Sequence, residues 1–100
     1  MVLDTSAILA ILFDEPERDA FVRLIAAVEI EVQPVTAAHA GLACDGFRRF
    51  GKGRHAANLN FGDAFAYALA KASAEPLLLK GNDFARTDVA SAVPPPKQPA

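Results

Sequence analysis

Tryptophan is absent from these 100 residues, and cysteine, methionine and tyrosine occur once each. A lone cysteine, Cys44, excludes an internal disulfide framework and fits a reducing cytoplasm. No apolar run approaches the roughly 20 residues needed to span a bilayer, so no membrane partner is expected. The opening Met1-Val2-Leu3-Asp4 puts an acid where the basic region of a signal peptide belongs. Disorder is excluded by the 52% hydrophobic content, and two domains by the length. A chain this short hides only about two-thirds of its surface on folding. Its stability is therefore modest without a partner or ligand.

Charge of one sign is also scarce, because the formal net charge is only −2. The layout is nevertheless polar. Residues 1–47 hold eight acids against Arg18 and Arg23, a balance of −6, and residues 48–100 hold eight bases against four acids, a balance of +4. An acidic centre beside a basic surface suits a polyanion, although net charge does not demand one.

The apolar pattern gives a coarse β-α-α-β-α-α-β order. Val2-Leu3 reads as a buried strand, and Asp4-Thr5-Ser6 as a turn capping a short apolar helix. Asp14-Glu15-Pro16-Glu17 starts a second helix, with Phe21, Leu24, Ile25 and Val28 as its core stripe. Ile30 and Val32 alternate with polar residues as a strand that Pro34 ends. Thr36 caps a helix running to Phe50, in which Gly41 and Gly46 each cost about 1 kcal/mol relative to alanine. Asn60 opens a further helix that places Phe61, Phe65, Ala68, Leu69 and Ala72 on one face. Residues 76–80 form the last strand, and residues 93–100 a proline-rich, extended, solvated tail beyond a domain spanning 1–92. The expected fold is a three-layer α/β domain with a parallel sheet, whose ligands gather beyond the carboxyl ends of the strands.

Asp4 and Asp83 follow apolar strands directly, and Asp63 lies in the first turn of its helix, so all three could meet at that edge. Gathered carboxylates repel, and a divalent cation such as Mg²⁺ would hold them ionised and activate water against a phosphodiester. Each acid also has a plain reading. Asp4 could cap a helix, Asp63 could complete a capping box with Asn60, and Asp83 could be a turn residue. His39 and His55 lack metal-ligand spacing, and Cys44 reads as a small core residue. Arg48, Arg49, Lys52 and Arg54 could simply be a solvated face.

The wording around the acids favours chemistry. Val2-Leu3-Asp4-Thr5-Ser6-Ala7, Asp14-Glu15-Pro16, the basic stretch 48–55, the segment from Leu59 to Ala70, and Leu77 to Phe84 with Thr87-Asp88 closely resemble PIN-domain ribonucleases, of the VapC type found in bacterial toxin–antitoxin pairs. The Asn60-Phe61-Gly62-Asp63-Ala64-Phe65-Ala66-Tyr67 stretch is the most specific part. The resemblance implies an endoribonuclease dependent on Mg²⁺ or Mn²⁺, with Asp4, Asp63 and Asp83 as catalytic metal ligands. Asn82 and Asp88 are neighbouring alternatives to Asp83, and Thr5 or Ser6 supports the metal or its waters. Arg48, Arg49, Lys52 and Arg54 become candidate RNA-binding bases. A homodimer and a small antitoxin inserted into the groove are further implications.

The match breaks in the middle. The family carries another strand, and a helix with a glutamate ligand, after its first two helices. Here Leu24-Ile25-Ala26-Ala27 runs almost straight into Val28-Glu29-Ile30-Glu31-Val32, so that segment is missing, and neither Glu29 nor Glu31 takes the glutamate's place. Lost core and a lost ligand predict exposed apolar edges and weakened metal binding. An inactive fragment that binds an antitoxin or an intact toxin is therefore the alternative. A phosphate-accepting signalling domain using Lys80 is a third reading, but it lacks the adjacent acidic pair after the first strand.

Overall fold

Two apolar runs from opposite ends of the chain become neighbours. The computed structural model describes residues 1–53, 55–81 and 84–93. Arg54, Asn82, Asp83 and the tail from residue 94 onward, all named above, lie outside the described residues. Strands β1 (Val2–Leu3) and β2 (Leu77–Leu78) pair in parallel, with Val2 opposite Leu77 and Leu3 opposite Leu78. Both carboxyl ends therefore open on one edge, with Asp4 leaving the first strand and Leu79-Lys80 leaving the second. The far flank of β2 is covered by an extended stretch that the sequence pattern did not announce. There Leu77 N donates to Ala90 O and Ala92 N to Leu77 O, each at 2.9 Å.

Among the described residues, four helices surround the pair: α1 (Thr5–Leu12), α2 (Arg18–Ala26), α3 (Ala37–Phe50) and α4 (Phe61–Ser73). Alternation along β2 divides the core. Leu77 and Leu79 join Val2, Phe50, Leu59, Tyr67 and Phe84 in one buried cluster. Leu78 joins Ala7, Ala10 and Phe21 in another, against which Val93 also packs. The result is an α/β fold around a small parallel sheet.

Polar caps decide where the longer helices begin. Thr36 Oγ1 accepts from His39 N at 3.1 Å, while Thr36 N donates back to His39 Nδ1 at 3.3 Å. Asn60 and Asp63 repeat this reciprocal arrangement at the start of α4. At the other end of α4, Ala74 closes the helix in the left-handed region, at φ 53° and ψ 41°. A Cβ disfavours that conformation, and glycine does not. Ala74→Gly is accordingly expected to stabilise the protein by about 1 kcal/mol, the relief of strain outweighing the added freedom of the unfolded chain. A higher urea midpoint at constant m-value is the measurement that checks it.

Three expectations are corrected. The alternating run at 30–32 forms no strand, because no neighbouring strand meets its backbone; Val32 is 92% exposed. The Asp14-Glu15-Pro16-Glu17 stretch is a turn, and α2 starts only at Arg18, leaving Val28 of the proposed stripe beyond the helix end and exposed. Cys44 lies on the exposed side of α3 and is not a core residue. The exposed apolar surface expected from a shortened core is present, with Leu12 and Phe13 each 70% exposed at the end of α1.

Candidate active site at the carboxyl edge of the sheet

Asp4 is buried directly after β1, in extended backbone geometry. Its Oδ2 accepts from Ser6 N at 3.0 Å and from Ser6 Oγ at 2.6 Å. The Ser6 hydroxyl in turn accepts from Lys80 N at 3.0 Å. One carboxylate oxygen thus caps α1 and is tied to the end of β2. The plain capping reading is correct for Oδ2, but it leaves Oδ1 without a hydrogen bond among the described residues. Ser6 spends its proton on Asp4, so its hydroxyl orients that carboxylate. Thr5 is exposed and joins Asp4, Gln33, His39, Phe65 and others around a groove of about 220 Å³.

Asp63 comes from the other side. Its Oδ2 accepts from Asn60 N at 3.0 Å, and its backbone N–H donates to Asn60 Oδ1 at 2.9 Å. Asp63 lines a larger cleft of about 680 Å³ with Lys52, Asn58, Asn60, Gly81 and Arg86. Gly62 lines the Asp4 groove and Gly81 the Asp63 cleft, so the two acids flank the turn that leaves β2. Asp83 lies outside the described residues. Among the described residues, no three His, Cys, Asp or Glu side chains cluster closely enough to hold a metal ion.

Asp88 is not at this edge. It pairs with Lys71 Nζ at 2.9 Å and Arg49 at 3.6 Å, beside Tyr67. Burial works to raise its carboxyl, yet the hydrogen bonds from Lys71 and Tyr67 outweigh it and hold the group below its ordinary value. The same burial, with Asp88 close by, pushes the Tyr67 phenol up to about 12. Asp88, named above as metal-supporting, thus stands in an ion cluster with Lys71 and Arg49.

The basic stretch divides likewise. Arg49 pairs with Asp45 at 3.6 Å, donates to Tyr67 Oη at 3.3 Å and lies 4.8 Å over the Phe50 ring, which commits it to packing. Arg48 is exposed and shares Asp45 at 3.9 Å. Lys52 alone of the described candidates reaches the Asp63 cleft. His55 accepts from Ala57 N through Nδ1 and packs edge-on against Phe50.

Two features escaped sequence reasoning. Arg86 faces the Asp63 cleft, although no spacing rule connects it to the basic stretch. Lys80 Nζ pairs with Glu15 and lies 3.8 Å from Glu17, whose Oε1 is otherwise buried without a hydrogen-bond partner. The acids around Pro16 were the available signal, and they read as helix-start chemistry.

No family model matches the chain. Curated relatives do. Ribonuclease VapC30 of Mycobacterium tuberculosis is 35% identical over 131 aligned positions, covering 95% of this chain and 100% of the relative. Ribonuclease VapC of Mycolicibacterium smegmatis is 39% identical over 127 positions, covering 91% of this chain and 98% of the relative. Ribonuclease VapC36 of Mycobacterium tuberculosis reaches 47% over 72 positions, which are 72% of this chain and 52% of that protein. Similarity of that extent, on a fold that brings Asp4 and Asp63 to one sheet edge, places the chain in the VapC ribonuclease family.

Proposed function

We propose that the chain is a Mg²⁺- or Mn²⁺-dependent endoribonuclease, the toxin of a toxin–antitoxin pair, on a three-layer PIN fold shortened near residues 27–29. The observation that carries this reading is that Asp4 is tied through Ser6 to Lys80, at the end of β2, while Asp63 shares a cleft with the next residue, Gly81. Leu78 facing one buried cluster, and Leu77 and Leu79 the other, supports helical layers on both sides of the sheet. Alignments of 131 positions against a chain of 100 residues support the internal shortening.

The donor set fits a hard cation. Asp4, Asp63 and Asp83 would supply carboxylate oxygens and Thr5 and Asn82 neutral ones, and oxygen ligands suit Mg²⁺ and Mn²⁺. Such an ion, when bound, orients a phosphodiester and makes a bound water a stronger nucleophile. The protein's part is positioning. Ser6 fixes the Asp4 carboxylate with Oδ2 turned inward. Asn60 holds Asp63 at the start of α4. Among the described residues no helix is long and apolar enough to cross a membrane, and we place the protein in the cytoplasm with its antitoxin, as a homodimer. The exposed apolar side chains at the end of α1 support a protein partner.

The test is RNA cleavage by purified protein with Mg²⁺, with chelator, and with Asp63→Asn. Cation-dependent cleavage, reduced at least about 100-fold in the variant, is the expected outcome. Cleavage that survives both chelator and substitution sinks the assignment. The second reading, an inactive fragment that binds an antitoxin or an intact toxin, is favoured by the unformed strand at 30–32. Co-purification with a small antitoxin, without RNA cleavage, distinguishes it.

A further inference from the structure

We infer that Lys52 and Arg86 form a phosphate-binding pair that seats the RNA backbone beside Asp63, whereas the Arg48–Arg49 face does not contact the strand. The inference rests on the ribonuclease reading and adds to it the path of the substrate.

Most cations of the described residues are already committed. Arg18 pairs with Asp14, Arg48 and Arg49 with Asp45, Lys71 with Asp88, and Lys80 with Glu15 and Glu17. Lys52 and Arg86 enter no ion pair among the described residues, yet both wall the cleft that holds Asp63. Two cations that line one polar cleft and enter no ion pair among the described residues offer a phosphate charge and hydrogen-bond donors beside Asp63. A volume of about 680 Å³ lies within the ordinary range for bound small groups.

Both residues stand on anchored loops. Lys52 N donates to Leu59 O at 2.7 Å and Leu59 N to Phe50 O at 2.9 Å, closing the 51–59 loop over a fully buried Leu59. Asn58 completes that loop in the left-handed region, at φ 57°, and contributes an amide to the same cleft. Arg86 rides on a turn in which Thr87 N donates to Phe84 O at 3.1 Å and Thr87 Oγ1 to the same oxygen at 2.7 Å, with Phe84 buried beneath. The backbone that carries each cation is thus fixed before RNA arrives, so only the two side chains need ordering on binding.

Equilibrium binding of a fluorescein-labelled single-stranded RNA decamer in chelator, titrated over salt concentration, tests the pair without cleavage. Lys52→Gln and Arg86→Gln should each weaken binding about three- to ten-fold and flatten the log–log salt slope by about 0.7, and the double variant by about 1.4. Lys52→Arg should restore the slope, separating charge from folding. Arg23→Gln, on the exposed face of α2, controls for diffuse electrostatics. Unchanged slopes in the cleft variants, or an equal loss in Arg23→Gln, overturn the pair while leaving the ribonuclease reading intact. Wild-type protein that binds no RNA overturns both.

Discussion

Gly46→Leu is expected to lower the melting temperature by roughly 12–24 °C, because a side chain at that position has no volume to occupy. A Cβ built on Gly46 overlaps the Tyr67 ring, lying 2.7 Å from Cε1. Tyr67 has little room to retreat: it is 1% exposed, with the Phe50 ring 5.7 Å away. Nor can α3 and α4 separate cheaply. Ala43, Ala64 and Ala68 form the buried cluster between them, and small residues of this kind set a close approach of the two backbones. Overpacking a filled core costs about 1–3 kcal/mol for added methylenes, and leucine here adds four carbons, so about 3 kcal/mol is expected. At 4–8 °C per kcal/mol for a domain of this size, the shift follows. Gly46→Ala tests the sign more sharply. Removing a helix glycine is worth about 1 kcal/mol, and the ring overlap must outweigh that gain for the variant to be destabilised. Gly41 is the control. Nothing lies within 4 Å of a Cβ there, so Gly41→Ala should stabilise by about 1 kcal/mol. Thermal melts of the three variants decide the matter. A Gly46→Ala protein as stable as Gly41→Ala would mean that α3 and α4 are not packed as described.

The same two glycines show where sequence reading stopped. Both looked like equal penalties in a helix from Thr36 to Phe50, because propensity concerns one residue and its own backbone. That one of them makes room for an aromatic ring on α4 is a property of two helices brought together. Helix starts were legible for the opposite reason: Thr36 and Asn60 each satisfy N–H groups within three residues, so the signal is complete in the local sequence. Strands were not. Ile30 and Val32 alternate correctly, but a strand needs a partner, and none reaches them. Residues 90–92 have no alternation, yet they pair with Leu77 because the chain returns alongside β2. The site divides in the same way. Asp4 and Asp63 were legible as acids at a strand end and a helix start. Their common neighbour, the Lys80–Gly81 turn, is set by tertiary contact through Ser6, and Arg86 enters the cleft through a turn anchored by Phe84. Nearness in sequence to Asp83 says nothing of the Lys71 and Arg49 side chains that pair with Asp88.

Asp4→Asn is expected to abolish RNA cleavage, by at least about 100-fold, while leaving the metal-free protein folded and about as stable as the parent. The separation is possible because Asp4 does two jobs through two oxygens. Oδ2 caps α1 by accepting from Ser6 N at 3.0 Å, and asparagine caps helices about as well as aspartate. The substitution therefore costs only a few tenths of a kcal/mol in capping. What asparagine cannot supply is a negative Oδ1, the oxygen that would be left to hold the proposed cation. Asp4→Ala removes both functions and should cost about 1 kcal/mol as well as the activity. Thermal melts with and without Mn²⁺ make the distinction without relying on turnover. A ligand that binds only the folded state at 100 times its dissociation constant adds about 2.7 kcal/mol, and Asp4→Asn should lose most of that increment. Ser6→Ala provides the intermediate case. It removes the 2.6 Å bond that fixes the carboxylate but keeps the charge, so it should weaken metal stabilisation by about 10- to 100-fold in affinity without abolishing it. An Asp4→Asn protein that cleaves RNA normally and gains the full Mn²⁺ increment would reduce Asp4 to a helix cap. A parent protein that gains no increment, while its Asp4→Ala variant loses about 1 kcal/mol, would leave the same conclusion.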